Sequence, residues 1–250
     1  MSAPSLLAGE YFEGFDTAGK PATRQGISWG YTDELSPVKG WQSIIPGDGY
    51  AHLCVAAKNL GALPHNTTHW PFQTLSLGPI ESNHRISIRA KNTAIEGVAC
   101  LLFTYREKST VDEIDIEIVA YDTAASPSHH QTGTNAGWTD VRINTWANAT
   151  GATLQPSRSI RTPILNARGT KVSHQDGAFH IYTIEWRPES VRFIIDGITQ
   201  GVITDIVPDS PSRVILGMRR MPWAGTPEWK GSQTLLVDWI DIEQLSTGTQ

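Results

Sequence analysis

Three carboxylates stand at every second position of one short stretch of the chain. Glu113, Asp115 and Glu117 alternate with isoleucines in VDEIDIEIVAYD. A period of two, rich in β-branched residues, predicts a half-buried strand with the three acids on one face. Acids are depleted in strands, and like charges on one face repel each other. On this pattern alone, a solvated sheet face and an acid–base site are both open.

The extended backbone sets the distance between the two glutamates. With a rise of about 3.3 Å per residue, the Cα atoms of Glu113 and Glu117 lie about 13 Å apart. Their side chains can lean together, into the range of about 5 to 9 Å spanned by the carboxyl pairs of glycosidases. Asp115 can hydrogen-bond one glutamate and raise the pKa of the other, so that one acid stays protonated. The geometry permits glycoside hydrolysis with either retention or inversion.

Tryptophan is frequent, with nine residues in the chain. Trp138, Trp223 and Trp229 lie in polar segments that are predicted to be loops. A flat indole ring offers an apolar platform for the C–H face of a sugar, while nearby acids and amides bind its hydroxyl groups. Although core packing is the common use of tryptophan, these loop positions favour a carbohydrate ligand.

Composition argues against several other classes of partner. The 20 basic and 25 acidic residues give a net charge of −5 without a basic run, so neither nucleic acid nor membrane is expected as a partner. The longest apolar runs are too short to span a bilayer, and no signal peptide is visible. Cys54 and Cys100 lie in apolar, strand-like runs, where buried thiols and a single bridge are both open.

Short apolar or alternating segments recur along the chain, separated by proline, glycine and asparagine. From His180 onward, HIYTIEW, VRFIID and ITQGVI indicate an antiparallel meander with a turn at Asp196-Gly197. No segment keeps the apolar spacing of a helix. We therefore expect an all-β fold, a β-sandwich or jelly roll of two packed antiparallel sheets, with residues 1–250 as one domain.

Two other strings lack the context that their chemistry needs. GISWG at 26–30 matches the G-x-S-x-G string of serine hydrolases, but no helix follows, so Ser28 is expected in a loop. The adjacent His129 and His130 lack the spacing of zinc ligands. Neither string predicts a catalytic site.

The sequence resembles glycoside hydrolase family 16, a family of jelly-roll endoglycanases that includes lichenases and laminarinases. Glu113-Ile-Asp115-Ile-Glu117 is similar to the family signature E-I-D-x-E. LLFTY before it and VRINTW, FHIYTIEW, VRFIIDG and LLVDWIDIEQL after it are similar to neighbouring strands of the family. The first eighty residues match loosely. The resemblance implies a concanavalin A-like jelly roll with a concave glycan cleft.

The resemblance also implies roles for individual residues. Glu113 would be the nucleophile of a retaining mechanism, Glu117 the general acid and base, and Asp115 the residue that orients Glu113. Further residues would line the substrate site or support it: Tyr105, Asn144, Trp146, Trp223, Trp229 and His180. Asp238 matches a position that helps to hold a structural calcium ion in several members, whereas catalysis would need no cofactor.

These features together predict an endo-acting retaining glycosidase that cuts a β-linked polysaccharide, with a β-1,3 or mixed β-1,3-1,4 glucan as the favoured substrate. A transglycosylase of the same family and a lectin-like domain without turnover are the alternatives. For Arg219 and Arg220, a site for an anionic or substituted polysaccharide and a solvated basic pair are both open. We expect a monomer, and we expect it to be extracellular because polymeric glycans lie outside cells.

Overall fold

A computed structural model of the chain describes residues 10–19, 28–33, 44–56, 72–92, 98–99, 102–119, 138–174, 176–220 and 232–246. All regular structure in these segments is β-strand. The strands are β1 (Tyr11–Glu13), β2 (Ser28–Asp33), β3 (Ala51–Ala56), β4 (Gln73–Ile80), β5 (His84–Lys91), β6 (Val98–Ala99), β7 (Leu102–Glu107), β8 (Val111–Val119), β9 (Asp140–Thr150), β10 (Gln155–Pro163), β11 (His180–Arg187), β12 (Ser190–Ile195), β13 (Ile198–Ile203), β14 (Ser212–Gly217), β15 (Arg219–Arg220) and β16 (Ser232–Gln244). Within the described segments there is no helix that could cross a membrane.

The strands form two large antiparallel sheets. The first sheet has the order β1-β16-β5-β11-β12-β13, with β3 also paired to β16. The second has the order β10-β9-β8-β7-β14-β4-β2, and β15 pairs with β6 in a small separate ribbon. β8, the strand that carries the three acids, therefore lies in the interior of the second sheet, hydrogen-bonded on both sides.

Alternation along the strands explains how the two sheets pack. The isoleucines of β8 point to one side and are buried in a single core cluster together with inward residues of β11 on the first sheet: Ile114, Ile116, Ile118, Tyr182, Ile184 and Trp186. Because successive side chains of a strand point to opposite faces, the three acids of β8 point away from this core. The prediction of two packed antiparallel sheets is confirmed.

Two local expectations need revision. Ser28 begins β2 and is not in a loop. The edge strand β10 was not predicted, because its sequence QPSRSIRTP is polar and carries two prolines, and edge strands tolerate such sequences. That residues 1–250 form one domain extends beyond the described segments and stays a prediction.

Candidate active site

The outward face of the second sheet gathers the polar and aromatic side chains around the acids. We call it the acid face, defined by residues of β7, β8 and β9: Phe103, Tyr105, Glu113, Asp115, Glu117, Arg142, Asn144 and Trp146. These residues share a face because the register pairs Glu113 with Tyr105 and Trp146, Asp115 with Phe103 and Asn144, and Glu117 with Arg142. Directly paired side chains in antiparallel strands stand about 4.5 to 5.5 Å apart at Cβ.

The three acids differ in exposure and in neighbours. Glu113 is partly exposed and stands between two aromatic residues, Tyr105 and Trp146. Asp115 is 2% exposed and Glu117 is 5% exposed. The carboxyl group of Glu113 is therefore the most accessible of the three.

A buried amide connects two of the acids. Asn144, with 0% exposure, donates from Nδ2 to Glu117 Oε2 at 2.8 Å and to Asp115 Oδ2 at 3.3 Å. Its Oδ1 accepts hydrogen bonds from Ser159 Oγ at 2.5 Å and from Arg142 Nε at 3.2 Å. Because the oxygen is held by two donors, the NH2 group must point at the carboxyl groups. Asn144 thus lies beneath the acids and fixes their oxygens.

Arginine side chains place positive charge at both ends of the acid row. Arg142 Nε lies 3.4 Å from Glu117 Oε2. Arg219 lies over the ring of Phe103, with Cζ 5.1 Å from the ring centroid, and its charge lowers the pKa of Glu113. The charge of Arg219 favours the ionised form of Glu113, and Arg142 holds one carboxyl oxygen of Glu117.

Burial and crowding shift the pKa values of two acids. Burial is the main cause that raises the pKa of Glu113 to about 7, and the negative charge of Glu117 adds to it, whereas a hydrogen bond from Asp115 opposes it. Burial, followed by the charges of Glu113 and Glu117, raises the pKa of Asp115 well above its usual range. Asp115 therefore holds its proton more tightly than an aspartic acid in water does, and it donates a hydrogen bond to Glu113.

Tyr105 stays neutral beside these acids. Its hydroxyl donates to Glu107 Oε2 at 2.8 Å, and burial, followed by that hydrogen bond, raises its pKa to about 12. The site as a whole thus offers a titratable carboxyl group, a buried carboxyl group with a raised pKa beside it and a third acid held by an amide. Paired carboxyl groups of this kind support nucleophilic and general acid–base catalysis.

Residues 82–241, more than half of the chain, match the family model of glycosyl hydrolases family 16. The chain belongs to this family. The family that the E-I-D-x-E signature predicted is thereby confirmed.

Among its relatives, the family 16 chain is 28% identical over 148 residues to a protein named beta-glucanase from Paenibacillus polymyxa, an alignment that spans 57% of this chain and 48% of the relative. It is 21% identical over 231 residues to a beta-glucanase from Brevibacillus brevis, which spans 88% of this chain and 74% of the relative. The chain therefore spans about half the length of relatives such as the Paenibacillus protein.

Solved structures show the same fold. A lichenase from a mouse hindgut metagenome superposes with a TM-score of 0.65 at 19% identity, covering 95% of the family 16 chain and 100% of the lichenase. A beta-glucanase from Bacillus licheniformis gives a TM-score of 0.63 at 16% identity, covering 94% of the family 16 chain and 98% of the beta-glucanase. The predicted jelly-roll fold is confirmed.

The structure brings together most of the residues expected at the site. Tyr105 and Trp146 stand beside Glu113, and Asn144 contacts Asp115 and Glu117, although its burial makes it a support for the acids rather than a surface for sugar. Trp223 and Trp229 lie outside the described residues, as does Cys100. Cys54 is a buried thiol whose Sγ lies 3.2 Å from Thr234 Oγ1, in agreement with the first of the two alternatives for the cysteines.

His180 is not brought to the acids. It begins β11 on the first sheet, on the inward side of that strand, whereas the acids point outward from the second sheet. Its ring bonds Asp196 and Asp176, and the hydrogen bond to Asp196 is the main cause that raises its pKa. Its expected place at the substrate site is therefore not what the structure shows, because alternation along a strand does not reveal which sheet the strand joins.

Asp238 lies on β16 of the first sheet, away from the acid face, and forms an ion pair with Arg89. A calcium ion at this carboxylate would compete with the guanidinium group. The calcium site stays a prediction, and no step of the chemistry below depends on it.

Three contributors to the site were not expected from the sequence. Arg142 could have been found, because it stands two residues before Asn144 in VRINTW and must share its face. Phe103 is related to Tyr105 in the same way. No sequence pattern indicated Ser159, because it contacts Asn144 only through the pairing of β10 with β9.

Proposed function

We propose that the chain is an endo-acting retaining glycosidase that cleaves a β-linked glucan by double displacement. The observation that carries this proposal is the acid row itself: Glu113, Asp115 and Glu117 on one face of an interior strand, with Asn144 bound to two of them. Family membership and the names of the relatives support the glucan as substrate. The mechanism uses only carboxyl groups, so it calls for no cofactor.

In the first step, Glu113 attacks the anomeric carbon while Glu117 protonates the glycosidic oxygen that leaves. The partial exposure of Glu113 and the charge of Arg219 suit a nucleophile that must be reached by substrate and must be ionised. The protonated Asp115 donates a hydrogen bond to the carboxylate of Glu113, which orients it. The product of this step is a covalent glycosyl-enzyme.

In the second step, Glu117, now ionised, takes a proton from a water molecule that attacks the same carbon and releases Glu113. Asn144 and Arg142 hold the carboxyl group of Glu117 in one place through both steps. Two inversions at one carbon give net retention. A sugar hydroxyl in place of water would give transglycosylation on the same residues.

The aromatic residues beside Glu113 support a sugar chain as substrate. Tyr105 and Trp146 flank the nucleophile on neighbouring strands, where their rings can stack against the sugar units next to the scissile bond. The mouse hindgut enzyme is named a beta-1,3-1,4-glucanase, and this name supports a mixed β-1,3-1,4 or a β-1,3 glucan as the substrate that we propose. Because such polymers lie outside cells, the protein would act there.

The test is the release of reducing ends from lichenan, laminarin, xyloglucan and an anionic glycan, by wild type, Glu113→Gln and Glu117→Gln. Glu189→Gln, on the exposed turn after β11, is a matched control. We expect wild type and the control to degrade a β-glucan and both site variants to lose the activity. Glycan binding without turnover, unchanged in both site variants, would instead indicate a lectin.

Azide separates the roles of the two glutamates. With an activated aryl glycoside, Glu113→Ala plus azide should give an α-glycosyl azide, since azide fills the space of the nucleophile. Glu117→Ala plus azide should give the β-product, because the glycosyl-enzyme still forms. The reverse result would exchange the two roles, and an inverted first product in wild type would refute retention.

A further inference from the structure

A second cluster of titratable side chains lies on the other side of the second sheet from the acid face. His174, His180 and Asp196 bring one donor atom each to within 4.8 Å of one another. They meet where the segment before β11 packs against the turn between β12 and β13. Nothing in the proposed glycosidase mechanism uses them.

Asp196 is fixed so that one oxygen faces both histidines. It has a left-handed backbone, with φ of 48°, in the turn before β13, and the backbone N–H of Ile181 donates to its Oδ1 at 2.8 Å. This leaves Oδ2 facing the two rings, 2.7 Å from His180 Nδ1 and 3.7 Å from His174 Nε2. The carboxylate is therefore prepositioned between two imidazoles.

The remaining nitrogen of each imidazole is held from outside the cluster. His174 Nδ1 lies 2.9 Å from the hydroxyl of Tyr182, which is fully buried. His180 Nε2 lies 3.2 Å from Asp176 Oδ1. Histidines that bind metals are held in this way, by an oxygen partner on the second ring nitrogen that fixes the ring orientation. The two inner nitrogens and Asp196 Oδ2 are left as three convergent donors.

The separations suit a small transition-metal ion. Donors in a tetrahedral zinc site with bonds of about 2.0 to 2.1 Å stand about 3.3 Å apart, a value between the 2.7 and 3.7 Å measured from Asp196 Oδ2. The two rings stack with centroids 3.7 Å apart, so one ring must tilt for both nitrogens to reach one ion. An adjoining pocket of about 250 Å³, which these side chains help to line, gives room for that tilt and for a water ligand.

We propose that His174, His180 and Asp196 bind a divalent transition-metal ion such as zinc. Two imidazole nitrogens and one carboxylate favour zinc, cobalt or nickel over calcium and magnesium, which prefer oxygen ligands. The side chain of Asp196 is 44% exposed and that of His174 is 1% exposed, so the ion enters from the side of Asp196. This inference goes beyond the proposed glycosidase activity and does not depend on it.

The ion would join separate parts of the fold. It would connect the β12–β13 turn with the start of β11 and with the segment that contains His174. The backbone N–H of His174 donates to Thr139 Oγ1 at 2.9 Å, directly before β9 begins. A metal here therefore stabilises the end of the molecule from which β9 runs toward the acid face.

The experiment is zinc titration by calorimetry on metal-stripped protein without a polyhistidine tag. Asp196→Asn is the central variant, because asparagine keeps the Oδ1 acceptor and tolerates the left-handed backbone while it removes the charge. His180→Gln is the second variant. Asp48→Asn, at a single His–Asp pair with His52, is the matched control. Circular dichroism verifies that every variant is folded.

We expect wild type and Asp48→Asn to bind one zinc ion with a Kd below about 10 µM, and Asp196→Asn and His180→Gln to bind it at least 100-fold more weakly. Asp176→Asn should weaken binding by about 10- to 100-fold. Cobalt should give the absorption bands of a tetrahedral site in wild type, and zinc should raise the melting temperature of wild type and of Asp48→Asn but not that of Asp196→Asn or His180→Gln. Absence of zinc binding in wild type, or equal affinity in folded Asp196→Asn, would overturn the proposal.

Discussion

The shifted pKa of Glu113 predicts a steep loss of activity in acid. A nucleophile must be ionised, and with a pKa of about 7 half of the Glu113 side chains are ionised at pH 7 but only about 1% at pH 5. The value of kcat/KM should therefore fall about 50-fold between these pH values, because it follows the ionisation of the free enzyme. At the ordinary value of 4.5 the fall would be less than about twofold.

The assay isolates the nucleophile by removing the need for an acid. An aryl glycoside with a dinitrophenyl leaving group departs without a proton from Glu117, so its kcat/KM reports the attack by Glu113. Rates are measured from pH 4.5 to 9. Samples held at pH 5 and assayed at pH 7 verify that the low rates are reversible and that the protein stays folded.

Arg219→Gln tests whether the charge of Arg219 helps to set the acidic limb of the pH profile of kcat/KM. The charge of Arg219 lowers the pKa of Glu113, so its loss should move the acidic limb to higher pH. Arg192→Gln, an exposed arginine on the first sheet, is the matched control and should leave the limb in place. A wild-type profile that stays flat down to pH 5 would refute the account of Glu113, and an unmoved limb in Arg219→Gln would refute the part assigned to that arginine.

Two further predictions follow from the same contacts. Glu113→Gln should stabilise the protein, because the pKa of Glu113 in the folded protein lies above the usual 4.5 and wild-type stability therefore falls as the pH rises from about 4.5 to 7. In urea unfolding, the free energy gained by the variant should grow from near zero at pH 4 to on the order of 3 kcal/mol at pH 8, whereas Glu189→Gln should show no such growth. Asn144→Leu removes donors to two carboxyl groups, and a hydrogen bond to a neutral partner is worth about 0.5 to 1.5 kcal/mol. The value of kcat on natural glucan should therefore fall about 10- to 100-fold, more than on the dinitrophenyl substrate and more than in Ser159→Ala; equal losses on both substrates would contradict a role through Glu117.

Much of the acid face could be predicted, because it depends on local alternation. The positions of Glu113, Asp115 and Glu117 on one face follow from the period of two in β8, and the all-β architecture follows from the many short strand patterns. The family resemblance added Asn144 and Tyr105, which lie on the two strands that flank β8. These expectations needed no knowledge of the register between strands.

What could not be predicted depends on register and on sheet assignment. Ser159 reaches the site only because β10 pairs with β9 at Asn144. The sequence predicts His180 at the substrate site, yet its strand joins the first sheet and its ring lies beside His174 and Asp196 instead. The pKa of Glu113 is raised mainly by burial, and it is lowered in part by Arg219, which is far away in sequence. Such contacts arise from tertiary packing, which a single sequence does not display.

The edge strand β10 has a consequence for how copies of the protein meet. It ends the sheet that carries the acids, and its segment QPSRSIRTP holds two prolines and two arginines. Proline offers no N–H to a neighbouring strand, and a second chain added in register would bring like charges together. This edge therefore resists the joining of sheets between two molecules, and it opposes aggregation through β10.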